Sequence, residues 1–147
     1  MQRLGKRRAD QCLRRLQQVT PAGGRFEEGT CYVGRLLVVG GAATLKLPDG
    51  SRLLDSPSFP PEYRATAEGA AAALQILQQQ SAVSWSFLSP AAQIFPGGKT
   101  GRFRLGLDNL LTDAAGKSRI STGDYAVAML EEAEQPQHVN QRFSIAY

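Results

Sequence analysis

Two strand ends carry residue types that could hold a flat ring. In Leu36–Gly50, LLVVGGAATLKLPDG, four apolar residues run into Gly40-Gly41. Positions without side chains let a ligand approach the backbone closely. The second end is Ser89-Pro90-Ala91, which closes VSWSFLSP. In a doubly wound sheet, ligands bind outside the carboxyl ends of the strands, so both places suit cofactor contact. They equally suit a glycine pair and a proline that merely stop strands. The glycine pair is not a dinucleotide fingerprint, which needs GxGxxG and then a helix. After Val39 the chain reads GGAATLKLPDG, with no third glycine and no helix-forming run. Gly23-Gly24 follows no strand, and neither a Walker sequence nor GxSxG occurs. No tyrosine has a lysine four residues on: RATA follows Tyr63 and AVAM follows Tyr125.

Other chemistry has few residues to work with. His138 is the single histidine, and EQPQHVNQRF reads as an exposed polar loop before the last strand. Cys12 and Cys31 are the only cysteines and have no CxxC spacing. A zinc site would need carboxylates for most of its ligands, so no metal is expected. With no secretion signal, a disulfide is not expected either.

The net charge of +4 is unevenly spread. Residues 1–15 hold Arg3, Lys6, Arg7, Arg8, Arg14 and Arg15 against Asp10, and the rest of the chain is slightly acidic. A basic arm of this kind can bind nucleic acid or an anionic surface, but is more often a solvated helix face. The slightly acidic remainder ranks nucleic acid last among partners. No run of 18 apolar residues is present, so no membrane span is expected. The basic N-terminus lacks the apolar stretch of a secretory signal, and a cytoplasmic protein is expected.

The elements that must position the two strand ends follow from pattern. Residues 7–19 place Cys12, Leu13, Leu16 and Val19 at helical spacing. TPAGGRFEEGT reads as a Gly-rich linker. RLLVVG is continuously apolar, as in a parallel strand covered on both faces. Residues 41–60 form a long irregular connection, and loops of that length in a compact domain usually serve function. Pro60-Pro61 opens an Ala-rich helix, PEYRATAEGAAAALQILQQQ. VSWSFLSP is a second strand, and RFRLGLDNLLTDAAGKSRI reads as short extended pieces. Ser121 and Asp124 have near capping-box spacing before YAVAMLEEAEQ. RFSIAY is a last strand. Helices alternating with strands predict an α/β fold with parallel strands.

From Arg35 to Tyr147 the chain resembles the C-terminal part of the NAD(P)H-binding atypical short-chain dehydrogenases of the NADH-flavin reductase type. It is more distantly similar to biliverdin reductase B. The stretches that carry this are RLLVVGGAATL, LLDSPSFPPEYRATA, SWSFLSPAAQIFPGGKTGRFRLG, LLTDAAGKSRISTGDYAVAMLEE and QHVNQRFSIAY. The resemblance implies a three-layer Rossmann-like sheet. RLLVVGG matches that family's fifth strand, not its first, and its pyrophosphate turn GATGxxG and three further strands have no counterpart. The expectation is therefore an incomplete, truncated Rossmann-like domain over residues 35–147, preceded by a basic helical leader and linker over residues 1–34.

The resemblance further implies hydride transfer from NADH or NADPH to a flavin (FMN or FAD) or a quinone-like acceptor. Such acceptors can take their proton from solvent, so a missing Tyr–Lys relay is tolerated. Gly40, Gly41, Ala42 and Thr44 would line the nicotinamide side of the pocket, and Ser89, Pro90 and Ala91 would flank the carboxamide. Phe59, Tyr63 and Phe95 would face the acceptor. No catalytic residue is assigned; Thr44 is the hydroxyl nearest the position of the family's serine. Arg102 and Arg104 read as surface charge. Without a glycine-rich helix start, the pyrophosphate loses its main anion site. Missing strands would leave Arg35–Gly40 with an open edge that invites a second chain. The other reading is a non-enzymatic dinucleotide-sensing or protein-interaction module that associates through this edge.

Overall fold

The structure, a computed structural model, describes residues 35–79 and 83–147. The basic arm, its helix and the Gly-rich linker lie outside the described residues. The main sheet is built on β2, Trp85–Ser89, whose five residues are all buried. It pairs in parallel with β1, Leu36–Val39, from Leu36↔Trp85 to Val39↔Leu88. On its other side it pairs in parallel with β6, Gln141–Ala146. The fourth strand, β4, Arg104–Gly106, runs antiparallel to β6, giving the order β1-β2-β6-β4. A separate two-stranded parallel ladder joins β3, Gln93–Phe95, to β5, Arg119–Ser121.

One helix covers each face. Pro60 and Pro61 set a 3-10 turn, Pro61–Tyr63, which runs into α1, Arg64–Gln78. Leu74 and Leu77 of α1 pack on Trp85, Phe87, Leu36 and Val38. The second helix, α2, Thr122–Glu134, starts where Ser121 Oγ accepts the Asp124 amide at 3.1 Å. Tyr125 and Ala128 of α2 pack on Leu88, Phe143 and Ile145. Because strand side chains alternate faces, Phe87 turns toward α1 while Leu88 turns toward α2. The architecture is mixed α/β with a largely parallel sheet between two helices.

Two expectations are revised. The strands are not all parallel, since β4 runs antiparallel to β6. The connection over residues 41–60 is less irregular than expected. A 3-10 turn at Leu53–Asp55 lets Ala43, Leu45 and Leu54 bury themselves. Among the described helices, none is long and apolar enough to cross a membrane.

Candidate functional site

A cleft of about 570 Å³ opens at the carboxyl ends of β1 and β2. Its floor is Gly40, Gly41 and Ala42, and Ala67 and Ala70 of α1 form one wall. Phe59, Pro60 and Tyr63 form the rim, with Ala92 across from them. The side chains on floor and wall are small, so this part of the cleft forms an uncrowded apolar slot. The two glycines create that slot differently. An added Cβ at Gly40 would lie 2.0 Å from Cε1 of Phe87, so Gly40 lets the strands close over the ring of a core residue. An added Cβ at Gly41 would meet only Cβ of Ala70, at 3.4 Å, so Gly41 faces the slot itself.

The structure gathers Gly40, Gly41, Ala42, Phe59 and Tyr63 around this cleft and places the other expected residues elsewhere. The Thr44 hydroxyl accepts from Arg142 Nη1 at 2.8 Å. Arg142 is itself buried and also donates to Asp108. Ser89 is fully buried, and its hydroxyl has no partner among the described residues. Ala91 packs in the core beneath α2, and Pro90 is half-buried between the two. Phe95 pairs with the ring of Tyr147, centroids 6.3 Å apart. Residues that the sequence reading missed are Ala67, Ala70, Thr66 and Ala92. Alanines three apart in RATAEGAAAA were the available signal, since i and i+3 share a helix face.

A second polar cluster lies on β2, α2 and the turn before β6. Glu132 is buried and receives Ser86 Oγ at 3.0 Å, the His138 amide at 3.0 Å and the Gln137 amide at 3.1 Å. Its Oε2 is 2.9 Å from Nδ1 of His138, and Arg35 Nη1 completes the set. Burial alone would raise the Glu132 pKa; the bonds from His138, Gln137 and Ser86 outweigh it and hold the carboxyl at about 2. Serine, histidine and carboxylate meet here without forming a nucleophile. The Ser86 hydroxyl donates to the carboxylate or to the His138 carbonyl, not to a ring nitrogen. The expectation of an exposed His138 is corrected: its side chain is 16% exposed and its ring stacks on Phe143 at 4.1 Å. Glu132 draws the ring inward, which the polar sequence around His138 does not reveal.

A third group fixes the loop before β4. Asp124 is fully buried and accepts the Thr100 amide at 2.8 Å, the Thr100 hydroxyl at 2.7 Å, the Gly101 amide at 2.9 Å and the Tyr147 hydroxyl at 2.7 Å. Burial opposes ionisation, and these donors overcome it, so its pKa falls well below the usual carboxylate range. Among the described residues, no group of three or more His, Cys, Asp and Glu is placed to hold a metal ion.

No protein-family model matches the chain. The uncharacterized protein YwnB of Bacillus subtilis (strain 168) is 49% identical over 114 residues, which are 76% of this chain and 54% of that protein. A solved structure of a "putative epimerase" from Bacteroides thetaiotaomicron is 42% identical with a TM-score of 0.75, over 78% of this chain and 53% of that one. A "putative NADH-flavin reductase" from Streptococcus pneumoniae TIGR4 is 37% identical with a TM-score of 0.71, over 76% of this chain and 55% of that one. The chain thus spans about half the length of the proteins it matches, and over that span it is similar to them in sequence and in fold.

Proposed function

We propose that the chain is the ring-binding part of an NAD(P)H-dependent oxidoreductase of the flavin-reductase type. The observation that carries this reading is the slot at the carboxyl ends of two parallel strands, floored by Gly41 and Ala42 and walled by Ala67 and Ala70. The likeness to a protein described as an NADH-flavin reductase supports it. The residues present fit such a ring in part. A nicotinamide or flavin ring suits an apolar cleft lined by Gly41, Ala42, Ala67 and Ala70. Bound there, the nicotinamide would supply a hydride. The chain's own part is to hold the ring flat, to cover it with Phe59 and Tyr63, and to leave one side open. Inside the slot the side-chain hydroxyls are Ser58, Tyr63 and Thr66. None is paired with a base, so a proton for the acceptor comes from solvent.

Ala70→Leu tests the reading, because leucine keeps helix propensity and fills the slot. The wild-type chain consumes NADPH or NADH with FMN or a quinone, and Ala70→Leu loses this activity at unchanged melting temperature. A wild-type chain that binds neither nicotinamide nor acceptor, by calorimetry, overturns the proposal.

One observation favours a second reading, a module that associates through β1. The ladder to β2 uses the amides of Leu36 and Gly40, so the two-residue period turns Leu37 and Val39 outward to an edge free among the described residues. Val39 is 70% exposed. In an antiparallel pair about Val38, Leu37 of one copy would exchange both bonds with Val39 of the next. Light scattering should show a dimer that Val39→Lys returns to a monomer; a monomeric wild type sinks this reading.

A further inference from the structure

A second hollow, of about 280 Å³, lies at the amino ends of the parallel strands, where Arg35 precedes β1, Ser86 begins β2 and His138 precedes β6. Leu105, Ala128 and Phe143 give it apolar lining, and Glu131, Glu132 and Glu134 give it charge. Glu132 is committed to Arg35, Ser86 and His138, whereas Glu131 and Glu134 are exposed. Leu105 is 45% exposed, an apolar side chain open beside those carboxylates.

The carboxylates sit where helix electrostatics oppose them. Helix α2 ends at Glu134, and a helix end gathers partial negative charge that favours cations. Its last turn contains no basic residue. One cation reaches this end from the N-terminal side of the chain. Arg35 Nη2 donates to the Glu132 carbonyl, and its Nη1 pairs with the Glu132 carboxylate. Arg35 is the first described residue, so the chain enters the described structure beside the hollow. Fifteen residues separate it from Val19, which closes the segment 7–19 with Cys12, Leu13, Leu16 and Val19 at helical spacing. Residues 1–15 carry six cations against Asp10. A tether of that length spans at most about 50 Å and holds the segment at roughly millimolar effective concentration.

We infer that residues 7–19 dock on this hollow of their own chain, with their apolar residues over Leu105 and Phe143 and their arginines against Glu131 and Glu134. The occupant matches on both counts. Its spaced apolar residues meet the apolar lining, and its charge is opposite to that of the helix end. Arg35 already makes on Glu132 the contact that Arg7, Arg8, Arg14 and Arg15 would repeat on the exposed carboxylates. The inference does not depend on the cleft at the carboxyl ends of β1 and β2.

The test digests the full chain with limiting trypsin and follows cleavage after Arg14 and Arg15 by mass spectrometry. A contact with a dissociation constant of about 0.1 mM keeps the tethered segment about nine-tenths docked, so the wild type should be cut about tenfold more slowly than Glu131→Lys/Glu134→Lys. Lysine suits a helix end, so this variant keeps the fold. The difference should vanish in about 1 M salt, where the Debye length is about 3 Å. Adding Arg7→Glu/Arg8→Glu to the lysine variant should restore slow cleavage. A carbodiimide, which joins an amine to a touching carboxylate, should link Lys6 to Glu131 or Glu134 within one wild-type chain. Equal cleavage of wild type and lysine variant at low salt overturns the inference and leaves the arm free for an outside anion such as RNA. Protection that rises with protein concentration overturns it in favour of docking on a second copy. Lys6 cross-links to other carboxylates only, or a charge swap that restores nothing, overturns the assigned surface.

Discussion

An alanine at Gly40 would push its Cβ against the ring of Phe87, which is 2% exposed and has nowhere to turn. Overpacking of this kind costs about 1–3 kcal/mol. Gly40→Ala should therefore lower the urea unfolding midpoint clearly. Gly41→Ala should leave stability unchanged or raise it by up to about 1 kcal/mol, because its backbone lies outside the left-handed region and its Cβ meets only Cβ of Ala70, at an ordinary contact distance of 3.4 Å. A Gly40→Ala protein as stable as the wild type would refute the packing role. Both glycines were conspicuous in LLVVGGAATL, and their position at a strand end was legible there. Their division of labour was not, because it depends on a ring in the neighbouring strand. Thr44 shows the same limit. Its hydroxyl suits a ligand on the page of the sequence, yet it is claimed by an arginine 98 residues further on.

Helices α1 and α2 were legible because their signals are local: a proline pair and alanines for one, Ser121 three residues before Asp124 for the other. The strand Gln93–Phe95 was not, since three residues with exposed Gln93 and Ile94 show no period. Asp124 marks where local reading stops. Its spacing announces a helix start, but its carboxylate bonds Thr100, Gly101 and Tyr147 instead of completing a capping box. The loop over residues 97–101 is thereby fastened to α2. It sits so close that a Cβ on Gly123 would lie 2.4 Å from the carbonyl carbon of Gly98. Replacing Asp124 by Ala removes the acceptor that Thr100, Gly101 and Tyr147 share, and bonds to a charged group are worth about 1.5–3 kcal/mol each before water replaces them. Brief trypsin digestion should then cut after Lys99 and Arg102 under conditions where the wild type resists. Equal resistance in Asp124→Ala would show that the loop is held by other contacts.

Across the whole molecule, buried carboxylates tie stability to pH. Glu132 has its folded pKa depressed to about 2, against about 4.3 for an unperturbed glutamate. A depressed carboxylate contributes stability that is full above the unfolded value and is lost as pH falls toward the folded one. The window is thus from about pH 5 downward to about pH 2, and the Glu132 share is at most roughly 3 kcal/mol. Asp124 acts in the same direction and continues below it. Urea midpoints should fall steadily between pH 6 and pH 3 in the wild type and less steeply in Glu132→Gln, which starts lower because Arg35 loses its ion-pair partner. Equal slopes would remove Glu132 from the account. The α/β alternation was legible along the chain, but the strand order was not. β6 follows every other described element in sequence, yet lies between β2 and β4 and is the sole bridge joining them in the sheet. During synthesis, β1, β2, β4 and both helices therefore leave the ribosome before the segment that unites them. Until Gln141–Ala146 emerges, β2 is paired on one side only and the β4 residue Leu105 has no strand neighbour. The nascent chain therefore carries an open seam through its middle, which β6 closes.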